Sequence, residues 1–151
     1  MKIEFFGSDS LNIVELNTTG DNENYIKCDI ESQYLHSEVF NLFTSCFENA
    51  NKLYEFFGAT KYNSRKIVPL RNELLQKLDI MKKIDSLDKF ESFIGQIFLG
   101  QDFIDALDKE YPDWKSGWKK YRDKLIEVNK GLIEITEICI EEQRVLWVIG
   151  Y

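Results

Sequence analysis

The chain is poor in the residues on which most site chemistry depends: one histidine, three cysteines and two prolines in 151 residues. With a single imidazole, any Ser-His-Asp or Cys-His arrangement must run through His36, whose neighbours YLHSEVF carry no motif. Cys28, Cys46 and Cys139 form no C-x-x-C pair; in a chain with no visible export signal they are expected reduced and buried as small hydrophobes. Taken with His36 as zinc ligands they would be 8, 10 and 93 residues apart, unlike the closely spaced pairs of a structural zinc site. No metal, cofactor or disulfide is therefore expected. The phosphate-loop, dinucleotide, H-E-x-x-H and EF-hand patterns are all missing. Apolar runs such as VLWVI (145–149) fall far short of the roughly 18–20 residues of a membrane helix, so no membrane association is expected. The opening MKIEFFGSDS has no apolar h-region, which predicts a cytoplasmic protein.

What is present is a globular composition, 44% hydrophobic and 30% charged, at a length usual for one domain. Residues 1–151 read as a single α+β domain with a strand-rich part (1–44), a helical part (45–142) and a terminal strand (143–151) that could return to the sheet. KIEFF (2–6), LNIVEL (11–16) and YIKCDIES (25–32) are short, rich in β-branched and aromatic residues, and separated by the turn residues of GSDS and NTTGDNEN. Ile26, Cys28 and Ile30 alternate with Lys27, Asp29 and Glu31, the period of a half-buried strand. HSEVFNLF (36–43) reads as a fourth strand or as the start of a helix. The expectation is an N-terminal antiparallel sheet of three to four strands followed by about four helices.

Those helices have start and stop signals. Ser45-Cys46-Phe47-Glu48 fits a capping box; Phe47, Ala50, Leu53 and Phe57 then recur at helical spacing, and Gly58 is placed as a stop. After the loop ATKYNSRK, Pro69 suits a first turn, and Leu70, Leu74, Leu78, Met81 and Ile84 form one stripe. A third helix starts near Ser86 with Leu87, Phe90, Ile94 and Ile97 on one face; Gly95 and Gly100 leave its continuation through Ile104 and Leu107 open, and Tyr111-Pro112 ends it. From Trp114 to Cys139 apolar residues recur at alternating intervals of four and three, a stripe that stays in register through Gly131 and predicts a helix over 113–142. RVLWVI (144–149) reads as the terminal strand.

The charge is not spread evenly. The net −7 sits wholly in residues 1–58, where three lysines face ten acids; residues 59–151 carry 16 of each sign. Within that second part the blocks alternate: +5 over 59–84, −6 over 85–113, +4 over 114–130 and −3 over 131–151. Antiparallel neighbours can neutralise one another, whereas the acidic first part has no such partner. Nucleic acid is disfavoured, because the one basic cluster with an aromatic is Lys61, Tyr62, Arg65, Lys66 and Arg71. A surface of one sign steers an oppositely charged protein, here a basic one. The candidate contacts are Glu15, Asp21, Glu23, Asp29 and Glu31, then Asp102, Asp105 and Asp108, expected to share a helix face.

Residues 25–58, YIKCDIESQYLHSEVFNLFTSCFENANKLYEFFG, read as a strand with alternating acids, a second strand and a capped F-x-x-x-x-x-L-x-x-F-F helix. This rhythm resembles small bacterial immunity proteins of polymorphic and contact-dependent toxin systems. The resemblance implies a small, acidic, cytoplasmic and non-enzymatic protein that binds one toxin domain and occludes its active site or substrate surface. The helical part over 59–151 departs from the all-β versions of that group, which leaves the toxin class open. The residue usage, with 16 Ile, 15 Lys to 4 Arg, 10 Asn and 3 Ala, is that of a low-GC bacterium or its phage. Two other readings stand beside it: a phage-encoded anti-defence inhibitor, and a small enzyme using Cys46 or Cys28 with His36.

Overall fold

The computed structural model describes residues 1–7 and 12–151. Most of the GSDS turn and the first residue of LNIVEL, at positions 8–11, lie outside the described residues. Strands β1 (Ile13–Asn17), β2 (Gln33–His36), β3 (Ala59–Tyr62) and β4 (Leu146–Gly150) form an antiparallel sheet in the order β2-β1-β4-β3. The helices are α1 (Ser37–Phe40), α2 (Thr44–Ala50), α3 (Ile67–Lys82), α4 (Leu87–Gly95), α5 (Gly100–Glu110) and α6 (Trp118–Glu141), with 3-10 turns at Asn41–Phe43 and Trp114–Gly117. This is the α+β architecture expected, with the C-terminal strand placed inside the sheet between β1 and β3. Its sequence LWVIG suits that place, since a short unbroken apolar run fits a strand covered on both faces.

Directly paired residues share a face of a sheet. Val14 and Leu16 of β1, with their partners Leu35 and Val148, join the core built by the helices. The other side of that core comes from the two longest helices, α3 and α6, which pack along each other. Leu70, Leu74, Leu78 and Met81 of α3 are buried there, as are Tyr121, Leu125, Val128, Leu132, Ile135 and Cys139 of α6. Helix α6 runs without a break through Gly131. A Cβ at that position would lie 2.3 Å from the Phe5 ring, so the glycine makes room for the N-terminal segment against the helix. Gly100 has a comparable role: a Cβ there would lie 2.1 Å from the Ile94 carbonyl oxygen, so the chain turns between α4 and α5 at that residue. Ser86 caps α4 as its sequence suggests, its hydroxyl accepting the Lys89 amide at 3.2 Å. Ser86→Ala should cost about 1 kcal/mol, read as a lower urea midpoint at unchanged slope; an unmoved midpoint would mean the cap is frayed.

Several sequence expectations are corrected. Lys2–Phe6 is not a strand: Phe6 alone pairs with Tyr34 through two backbone hydrogen bonds, while Ile3 is buried in the core and Phe5 packs against it. Segment 25–32 is not a strand either, and Ile26 and Ile30 are 68% and 99% exposed. Both edges of β1 are already filled, by β2 and by β4, so this segment has no strand to pair with there. HSEVFNLF takes the helical option after His36, because Val39, Phe43, Phe47 and Ala50 make one buried stripe through α1, the 3-10 turn and α2. The helix run therefore begins upstream of Ser45, which caps nothing; the Ser45 hydroxyl instead accepts Lys77 Nζ at 3.2 Å. Helix α2 stops at Ala50, and Leu53 and Phe57 are not on a helix at all. ATKY, read as loop, is β3, so one strand falls within the part expected to be helical.

Candidate functional site

The second face of the sheet is covered by the loop over residues 18–32, and two buried polar side chains of β1 hold it there. Asn17 Nδ2 donates to Ser32 Oγ and Thr19 Oγ1, both at 3.1 Å, and Asn17 Oδ1 accepts the amides of Thr19 and Gly20. The Glu15 carboxylate accepts the Cys28 amide at 2.9 Å, the Asp29 amide at 3.2 Å and the Tyr151 hydroxyl. Further along, Trp147 Nε1 donates to the Asp21 carbonyl at 2.8 Å, Lys61 Nζ donates to the Asn22 carbonyl at 2.6 Å, and Tyr25 packs on the Trp147 ring. Burial pushes the Tyr34 phenol up to about 12, with Glu15 adding to it, and the Tyr151 phenol rises by burial and its hydrogen bond to Glu15.

The candidate contact residues are thereby sorted. Glu15 is corrected: it is fully buried and serves as an internal anchor. Asp29 is half-buried with both oxygens engaged, by the Glu31 amide and by the Thr19 hydroxyl. Asp21 is exposed, but its Oδ1 takes the Glu23 and Asn24 amides, which hold its carboxyl below the usual range. Glu23 and Glu31 stand out into solvent. On α5, Asp102 and Asp105 line one groove, whereas Asp108 accepts Trp114 Nε1 at 2.7 Å. Steps of three residues on a helix of 3.6 per turn rotate by about 60° each, so the third aspartate has left the face of the first.

That groove is the site the sequence did not reveal. It encloses about 620 Å³ between α1, the loop over 51–58, α5 along its length, and the sheet at Val14 and the end of β4. Tyr54, Phe56, Phe57 and Leu99 supply its apolar wall; among the described residues, Glu38, Asp102 and Asp105 supply carboxylates and Lys109 an ammonium. Glu110, also on the lining, pairs with the Met1 ammonium. Among the described residues, Glu38 Oε2 is buried with no hydrogen-bond partner. Beside the groove stands an apolar ridge: Phe57 is 88% exposed and Phe98 76%, and the Phe98 ring stacks edge-on against Phe56 at 6.2 Å. Leu99 takes φ 62°, a left-handed conformation that costs a leucine about 1–2 kcal/mol. Gly150 brings β4 against the ridge loop, since a Cβ there would lie 1.9 Å from the Phe56 carbonyl oxygen. Tyr151 links the two surfaces, its residue lining the groove and its hydroxyl reaching Glu15.

The thiols and the histidine are placed differently. Cys46 and Cys139 are buried, and burial pushes each thiol up to about 11, opposite to the shift that activates a nucleophile. Cys28 is exposed. His36 is half-buried against the Phe6 ring at 4.6 Å, and burial lowers its pKa. One thiol, Cys28, should react with Ellman's reagent within minutes at pH 8, the other two only in denaturant. Two fast thiols would contradict this burial.

Comparison with known proteins found no matching family model, no matching curated protein and no matching solved structure.

Proposed function

We propose that this chain is a non-enzymatic protein inhibitor that binds and neutralises a protein partner, acting as an immunity protein against a cognate bacterial toxin domain with a basic surface. The carrying observation is the exposed Phe57 and Phe98 ridge beside a groove rich in carboxylates. Apolar anchors within a charged rim are the anatomy of a binding patch, because the anchors supply affinity and the rim supplies steering. Burial raises the Cys46 thiol, the opposite of the shift a nucleophile needs, which weighs against thiol catalysis at that residue.

The test is co-expression with the product of the gene immediately upstream. Restored growth and a stoichiometric complex on size exclusion are expected; a toxic upstream product that this chain neither silences nor binds overturns the reading. Reversing Glu23 and Glu31 to lysine should slow association and flatten its dependence on salt, since both are exposed. Identical salt slopes would show the acidic loop to be only a solvated face.

A further inference from the structure

Resting on the reading of the chain as a binding protein, we propose that the groove receives an arginine side chain of the partner, with the apolar residue next to that arginine seated on the ridge of Phe57 and Phe98. Charge is the first argument. Among the described residues that line the groove, Glu38, Asp102, Asp105 and Glu110 are set against Lys109, with Glu110 paired to the Met1 ammonium, so the lining carries an excess of negative charge. A second copy of this chain would bring the same carboxylates together and is disfavoured by repulsion.

Shape and hydrogen bonding select arginine among cations. A guanidinium presents five donors in a planar fork, enough to bridge carboxylates that sit on different elements. Here Asp102 and Asp105 stand exposed on α5, and Glu38 of α1 shares the same lining. Tyr54, Phe56 and Phe57 are part of the wall, and aromatic rings attract a guanidinium and cover the apolar stem behind it. At about 620 Å³ the groove holds more than one side chain, which leaves space for the neighbouring residue to reach the ridge. The left-handed Leu99 keeps an apolar wall three residues before Asp102, where a glycine would relieve the strain.

The experiment is an amide-resolved NMR titration with two probes, acetyl-Leu-Arg-amide and its neutral isostere acetyl-Leu-citrulline-amide. The arginine probe should give saturable shifts at Leu99, Asp102, Ala106 and Gly150. The citrulline probe should bind at least tenfold more weakly, as should the arginine probe to a D102N/D105N double variant. No shifts, equal shifts from both probes, or arginine-dependent shifts centred elsewhere overturn the proposal. Citrulline against wild-type protein keeps the test valid if the double variant fails to fold. Failure here is distinct from failure of the inhibitor reading: a wild-type chain that still protects in co-expression, with no arginine preference in the groove, refutes only the groove.

Discussion

Gly150→Ala should lower the thermal midpoint by about 5–10 °C, for a loss of about 2–3 kcal/mol. A Cβ at this position would sit 1.9 Å from the Phe56 carbonyl oxygen and 3.0 Å from its carbon, and 3.6 Å from Phe57 Cα. These are backbone atoms, so no rotamer change relieves the clash. Neither side can move freely: the Gly150 amide donates to the Gly58 carbonyl at 2.9 Å, and β4 is paired on both edges. Either the ridge loop lifts or the end of β4 peels away from β1. In the first case Phe56 and Phe57 shift, and binding to the partner should fall with stability. Gly95→Ala is the control, because a Cβ there meets nothing within 4 Å. Equal midpoint shifts for the two variants would contradict the close approach.

Glu15→Ala should cost about 2–4 kcal/mol and release the loop over 18–32. The substitution orphans the Cys28 and Asp29 amides and the Tyr151 hydroxyl, and a hydrogen bond to a charged acceptor contributes about 1.5–3 kcal/mol. The total falls below three such bonds because Cys28 is exposed and its amide regains water. Amide exchange separates this from a general weakening: protection at Cys28 and Asp29 should be lost while α3 and α6 keep theirs. Glu15→Gln should fall between wild type and alanine, since one end of its amide would point a donor at a donor. A loss under about 1 kcal/mol, or uniform loss of protection, would remove Glu15 from the role of anchor.

The long helices were legible because their burial follows a single period. Leu70 to Met81 and Tyr121 to Cys139 repeat at 3.6 residues over several turns, and the register kept through Gly131 outweighed the strand that LIEITEICI alone could form. The start of α4 near Ser86 was legible for the same kind of reason, since what fixes it is a contact between neighbours in the chain. The short elements were not. Segment 25–32 alternates like a strand, yet alternation says only that a strand would be half-buried, not that an unpaired edge exists to receive it. ATKY has four residues, too few for a period to show. Glu15 was grouped with surface acids because nothing in LNIVEL shows that two amides from residues 28 and 29 will converge on it.

The sequence by itself determined the α+β class, the stripes that become α3 and α6, the start of α4, and the excess of acid in the first 58 residues. These depend on local spacing and on composition, which the chain carries wherever it folds. Only the tertiary structure decided that the C-terminal strand enters the middle of the sheet, that Glu15 is an anchor, and that Phe57 and Phe98 stand beside Glu38, Asp102 and Asp105. That groove is made by residues from 12 to 151 that share no motif. They meet where Gly150 lets β4 approach the backbone of Phe56, a constraint that exists only once the sheet is assembled.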